Sequence, residues 1–181
     1  MRSHHEEQTP SPWVVRWAPL IRAGGDVLDV ASGAGRHTRY CVGRGCAVVA
    51  VDRDEEALAG LAGVQGVQTL QADLEAEPWP FGPERFDAVV VANYLHRPLF
   101  PALITALRPG GVLIYETFMV GNERYGKPSN PNFLLRPGEL LEAIASRLWV
   151  VAFEQGSVSR PKEAVVQRIC AIRGSGEAVT I

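Results

Sequence analysis

The sequence predicts an α/β fold, a doubly wound and mostly parallel sheet of seven strands with the last strand antiparallel. Three observations carry this. Short β-branched apolar runs recur at 26–30, 46–51, 67–72, 86–92 and 112–118, with helix-prone segments or turns between them. The run at 86–92, FDAVVVA, has no polar face, as expected of a strand covered on both sides. Two further runs, 149–154 and 163–172, are joined by only a short connection at 157–162, which reads as an antiparallel edge hairpin.

The elements follow in order. Residues 1–25 read as an N-terminal arm whose first ten residues are polar and mobile. Ser11-Pro12 opens a helical turn containing Trp13, Val14 and Trp17, packed on the domain edge and limited by Pro19. The rest, 26–181, reads as one domain with five β-α units before the hairpin. Helices are predicted at 37–43, at 54–62 from its Ala, Leu and Glu content, and at 99–107, stopped by Pro109-Gly110-Gly111. Residues 119–135, rich in Gly, Asn and Pro, form a loop longer than the ~12–15 residues compact domains keep without a function. Pro137 in the first turn starts a last helix through Arg147.

Composition narrows the partners. The 181 residues are 46% hydrophobic and 21% charged with a formal net charge of -2, so no basic excess favours nucleic acid or an anionic membrane. No apolar run reaches the ~18 residues that cross a bilayer, and the polar start lacks a secretory apolar stretch, so a cytoplasmic location is expected. Cys41, Cys46 and Cys170 read as buried reduced thiols. His4, His5 and His37 lack metal partners at useful spacing, so no metal site is expected.

In an open α/β sheet a ligand binds outside the carboxyl ends of the strands. The first strand ends in Asp29-Val-Ala-Ser-Gly-Ala-Gly35, where Gly33 and Gly35 allow a tight turn and close backbone approach to a ligand. Asp52 closes the second strand, placed either to accept hydrogen bonds from ribose hydroxyls or to cap the helix starting near Asp54. Asp73-Leu74 after the third strand can meet an adenine, and Asn93-Tyr94 after the fourth points into the same crevice. No third glycine follows Gly35, and an acidic Asp29 would repel a pyrophosphate, yet it suits a cationic aminium end. That charge logic favours S-adenosylmethionine over a nicotinamide dinucleotide.

The segments VLDVASGAG, AVVAVDRD, QADLE, FDAVVVANYLHR and LRPGGVLIYETF, in this order, resemble the successive motifs of class I S-adenosylmethionine-dependent methyltransferases. The resemblance implies a Rossmann-like seven-stranded sheet with its last strand inserted antiparallel. It implies that Asp29, Gly33 and Gly35 hold the methionyl part, Asp52 the ribose, and Asp73 and Leu74 the adenine. Ala31, Arg53 and Asn93 complete the expected cofactor set. Ala31 stands where the family often has its first glycine, and alanine is accommodated there at negative φ. LIYETF and GNERYGKPSNPNFLLRPGELLEAI are similar to methyltransferases of the tellurite-resistance type and their bacterial relatives.

The expected reaction is methyl transfer to a small molecule, a chalcogen oxyanion or a thiol-like acceptor, leaving S-adenosylhomocysteine. A cofactor-binding sensor or partner protein without catalysis is the alternative. Acceptor-side candidates are Tyr94, His96, Arg97 and Glu116. His96 is a general base or a helix-start histidine bonded to backbone, and Arg97 attracts an anionic acceptor or pairs with a carboxylate. Glu116 is catalytic or a buried structural carboxylate. Tyr125 and Asn130 lie in a stretch that reads as a lid, with Gly126, Pro128 and Pro131 permitting an ordered but hinged loop.

Overall fold

The computed structural model describes residues 9–174, so the expectations for the first eight residues, His4 and His5 among them, lie outside the described residues. Strands β1 (Asp26–Val30), β2 (Ala47–Asp52), β3 (Val67–Gln71), β4 (Phe86–Ala92), β5 (Leu107–Phe118), β6 (Trp149–Val158) and β7 (Ala164–Ile172) build one sheet. Its order is β3-β2-β1-β4-β5-β7-β6. The first five strands are parallel, and β7 runs antiparallel to both β5 and β6. The doubly wound fold and the closing hairpin are therefore as the sequence predicts. Both strands of the hairpin are long, so its turn is 159–163 rather than 157–162.

Helices α1 (Pro12–Trp17), α2 (Arg36–Gly43), α3 (Glu55–Ala59), α4 (Phe100–Ala106) and α5 (Glu139–Ile144) cover the two faces. One face packs against Leu28, Val89, Leu113, Tyr115 and Ile169, the other against Val27, Val48, Val90, Ile114 and Cys170. All seven residues of β4 except the last are buried, which explains its unbroken apolar run. No helix among the described residues is long and apolar enough to cross a membrane.

Four local expectations need correction. The α1 segment does not sit at the domain edge: Trp13 and Val14 are fully buried over the sheet, with Trp17 edge-to-face on Trp13 at 5.7 Å. No helix joins β3 to β4, so the five β-α units are four. Trp79 and Phe81 cover that part of the sheet instead, stacked edge-to-face at 5.2 Å, with Phe81 on Phe86 at 5.3 Å. Helix α4 ends at Ala106, before Pro109, because Leu107 turns extended to pair with Phe86. Pro137 is not in the first turn of α5. Gly138, at φ 74, is its N-cap, and only a left-handed residue turns the chain into the helix there.

The three cysteines are buried and free. Burial pushes the Cys41 and Cys170 thiols up to about 12, so they are inert packing groups.

Candidate functional site

The strand order reverses between β1 and β4, and the carboxyl ends of β1 to β4 open there into a cavity of about 370 Å³. Ala31, Asp52, Asp73, Leu74, Asn93 and Tyr94 line it, with Arg53 and Glu75 at the same wall. The volume is at the lower end of the ~300–1,000 Å³ of small-ligand sites.

Asp52 is oriented before any ligand arrives. Its Oδ2 accepts from the Gly33 N–H at 2.7 Å and its Oδ1 from the Asp54 N–H at 2.9 Å. Each oxygen keeps a free lone pair toward the cavity, as a pair of adjacent hydroxyls requires. Asp52 is not the helix cap. Asp54 caps α3, accepting from the N–H groups of Glu56 and Ala57.

The glycine loop is built differently from the expectation. Ala31 adopts φ 52, in the left-handed region, not the negative φ expected. The reason is tertiary: the Ser32 N–H must reach back to the Val51 carbonyl at 3.0 Å, which forces the chain to reverse at once after β1. Gly33, at φ 53, faces open space where a Cβ would stand, consistent with an approach route for a ligand. Gly35 is required for another reason. A Cβ there would sit 2.5 Å from the Leu61 side chain, so its missing side chain lets the segment after α3 pack on the loop. The Ser32 hydroxyl, at the loop's centre, is buried without a hydrogen-bond partner.

Asp29 does not line the cavity. It is buried behind the loop, where its Oδ2 accepts from the Thr38 hydroxyl at 2.6 Å and ties β1 to α2. Burial pushes its carboxyl up to about 6, against the lowering effect of Thr38. His37 beside it is buried and accepts the Ser11 N–H at Nε2, 3.1 Å away, fastening α1 to α2. Burial, with help from Arg36, holds that imidazole down at about 3.

Tyr94, expected on the acceptor side, lines the first cavity and not the second. Burial followed by the charges of Glu75 and Asp73 raises its phenol. Its carbonyl accepts from the Tyr115 hydroxyl at 2.8 Å. Asp73 accepts from the Glu75 N–H at 3.0 Å, closing the turn that seats Leu74.

A second cavity, about 190 Å³, lies beyond Asn93, Thr117 and Phe118, which line both. Asn93 is another left-handed residue, at φ 58, and its N–H donates to the Glu116 carbonyl. Glu116 lines this second space. Its carboxylate lies 3.2 Å from Arg168 Nε, which lacks hydrogen-bond alignment, and Arg168 also lies 3.7 Å from Glu154.

Two expected acceptor groups point elsewhere. His96 lines neither cavity and precedes the short 3-10 turn Arg97–Leu99, where its carbonyl accepts from the Leu99 N–H. Arg97 binds Glu139 at 2.5 and 3.1 Å and the carbonyls of Asn132 and Leu134 at 2.8 and 2.9 Å. All three of its nitrogens are engaged, so it clamps residues 132–139 instead of facing an acceptor. Burial works to raise the Glu139 carboxyl, but the bonds from Arg97 and the Arg136 N–H hold it below the usual range.

The predicted lid is closed at its base. Met119 bridges Leu135, and Asn122, buried, accepts the Val165 N–H and donates to the Pro128 carbonyl. Pro128 and Phe133 reach the first cavity, Tyr125 and Lys127 the second. Asn130 reaches neither; it caps the 3-10 turn Pro131–Phe133 through the Asn132 N–H. Thr117, Phe118, Phe133 and Arg168 escaped sequence reasoning because they come from three different elements, far apart in the chain. The carboxyl end of β5 was the one usable signal for the first two.

A family model described as "Methyltransferase domain" matches residues 27–111, the span from β1 to the start of β5 that builds the first cavity's floor. The match spans a little under half of this chain and likens that part to a methyltransferase domain. The chain's sequence is 34% identical over 128 residues to a ubiquinone/menaquinone biosynthesis C-methyltransferase of Ectopseudomonas mendocina, covering 61% of this chain and 46% of that protein. It is 34% identical over 105 residues to a demethylmenaquinone methyltransferase of Clavibacter sepedonicus, covering 53% of this chain and 42% of that one. The chain thus spans less than half the length of these curated relatives. Among solved structures, TehB from Haemophilus influenzae superposes with a TM-score of 0.73 at 19% identity, over 91% of this chain and 62% of that one. A Burkholderia thailandensis 1,6-didemethyltoxoflavin-N1-methyltransferase, crystallised with S-adenosylhomocysteine, gives 0.66 at 23% identity, over 90% of this chain and 76% of that one. At these identities the likeness speaks for the fold alone.

Proposed function

We propose that this chain is a methyltransferase domain that binds S-adenosylmethionine in the first cavity and methylates a small acceptor bearing a soft nucleophile in the second. The observation that carries the reading is the junction: Asn93, Thr117 and Phe118 line both spaces, so a donor in one meets an acceptor in the other. The pre-oriented Asp52 supports the ribose assignment, and Asp73, Leu74 and Tyr94 form an adenine pocket. The orphaned Ser32 hydroxyl and the open space at Gly33 fit the methionyl end.

When bound, the sulfonium supplies an already activated methyl carbon. The chain's own groups orient and enclose: Asp52 holds hydroxyls, Phe133 and Pro128 cover the cavity, and the buried β5 end excludes water behind the reacting atoms. A soft nucleophile, a thiol-like group or a chalcogen oxyanion, needs little base catalysis, in keeping with a His96 that lines neither cavity.

S-adenosylmethionine should raise the melting temperature by several degrees at ligand concentrations about a hundredfold above Kd. Asp52→Ala should weaken its binding at least about tenfold in calorimetry, with the far-ultraviolet circular dichroism unchanged. No thermal shift with millimolar ligand would refute the cofactor assignment, and unchanged affinity in the variant would remove Asp52 from it.

A further inference from the structure

We infer that the second cavity selects an organic anion, an acceptor with an apolar body and a carboxylate-like group remote from the atom that receives the methyl. The inference rests on the cofactor assignment above and adds the acceptor's charge and shape. Arg97, the cation expected to attract an anion, is fully engaged with Glu139 and two carbonyls. The cations facing the second cavity come from three other places.

Lys127 lies in the lid, Arg160 and Lys162 in the β6–β7 turn, and Arg36 at the start of α2, all lining one space. None of Lys127, Arg160 and Lys162 has an ion-pair partner among the described residues. Lid and turn converge, since a Cβ on Gly126 would stand 3.8 Å from Lys162 Nζ. Two carboxylates share the lining. Glu116 is offset by Arg168 at 3.2 Å, which leaves Glu163 alone against four cations in a chain whose net charge is -2. A local positive field against the sign of the whole molecule is a selective feature, not a by-product of composition.

The same space argues for an organic ligand. Its 190 Å³ greatly exceeds what a group the size of a few waters needs. Pro12, Phe118, Ala164 and Val166 supply apolar wall between the Asn93–Thr117 junction and the cationic lid. An inorganic oxyanion would leave that wall uncovered and place its own charge at the junction. An organic acid spans the two: its nucleophile at Asn93 and Thr117, its carboxylate among Lys127, Arg160 and Lys162.

The transfer balances simply. The acceptor's lone pair forms the new bond to the methyl carbon while the carbon–sulfur bond of the bound S-adenosylmethionine breaks, its electron pair staying on sulfur. A thiol acceptor loses its proton to solvent and becomes a thioether, and the remote carboxylate is unchanged.

The test uses the full chain loaded with S-adenosylhomocysteine and compares benzoate with benzamide, isosteres differing in charge. Benzoate should bind at least about tenfold more tightly by calorimetry, and added salt should narrow the gap. The double variant K127E/K162E, both exposed positions, should abolish or reverse the preference while S-adenosylhomocysteine affinity stays the same. Thiosalicylate should then be methylated faster than thiosalicylamide by the wild type. Equal binding of benzoate and benzamide would overturn the inference while leaving the cofactor assignment standing, as would turnover of selenite with no response to the organic acids. Failure of S-adenosylhomocysteine itself to bind would sink the cofactor reading and this one with it.

Discussion

Ala31 is held in a conformation that an L-residue enters at a cost, because Cβ crowds the neighbouring carbonyl oxygen. At φ 52 it lines the first cavity, directly between β1 and the two loop residues that carry the orphan hydroxyl and the open space. Glycine relieves that crowding but enters folding with a more flexible unfolded chain, so the two effects partly offset. Ala31→Gly is expected to stabilise the protein by about 0.5–1 kcal/mol in urea unfolding. A loss of stability would mean that the loop is not left-handed at that position. Gly35 answers to a different neighbour. Its constraint is the Leu61 side chain, so its substitution would disturb packing before it disturbed any ligand.

Among elements, the segment from β5 to α5 does most to shape the site. Its lid is fixed at three points: the Met119–Leu135 bridge, the Asn122 bonds to Val165 and Pro128, and the Arg97 clamp on 132–139. The clamp is the vulnerable point, since Glu139 is about nine-tenths buried and its charge depends on a partner 42 residues earlier. Arg97→Met would leave that carboxylate desolvated with only the Arg136 contacts. The expected loss is about 2–4 kcal/mol, reduced from the full buried-pair figure because Arg97 is partly exposed. Hydrogen exchange should accelerate across 132–139 while β1 to β4 stay protected. Uniform loss of protection would place the clamp in the global core instead.

For the whole molecule, two buried groups on neighbouring elements act on the acid response in opposite senses. His37 is lowered from 6.5 to about 3, so its neutral form favours folding and stability is lost as pH falls from 6.5 toward 3. Asp29 is raised from 3.8 to about 6, so its ionised form costs stability above pH 6, a cost relieved as pH falls toward 3.8. Each contributes a slope of about 1.4 kcal/mol per pH unit, of opposite sign, and they cancel between about pH 4 and 6. Asp29→Asn keeps an acceptor for the Thr38 hydroxyl and removes the compensation. The variant should melt higher than the wild type at pH 7 without ligand, then fall steadily on acidification where the wild type is nearly level. Parallel melting curves from pH 4 to 7 would remove Asp29 from this role.

The strand count, the parallel core, the closing hairpin and the position of a crevice at the carboxyl ends of the strands were all determined by the sequence alone. They depend on features that survive in one dimension: β-branched runs of fixed period, turn residues between them, and carboxylates placed at strand ends. That Asp52, Asp73 and Leu74 line the cavity was legible for that reason, each standing at a strand's last residue or within three residues after it. Tertiary structure alone decided what each side chain faces. The sequence does not show that Arg97 meets Glu139, that Gly35 yields to Leu61, or that Asp29 turns to Thr38 behind the loop. The left-handed Ala31 follows from a hydrogen bond to the neighbouring strand. The cation-lined second cavity is assembled from α2, the lid and the β6–β7 turn, segments spread from Arg36 to Lys162, and only packing brings such charges together.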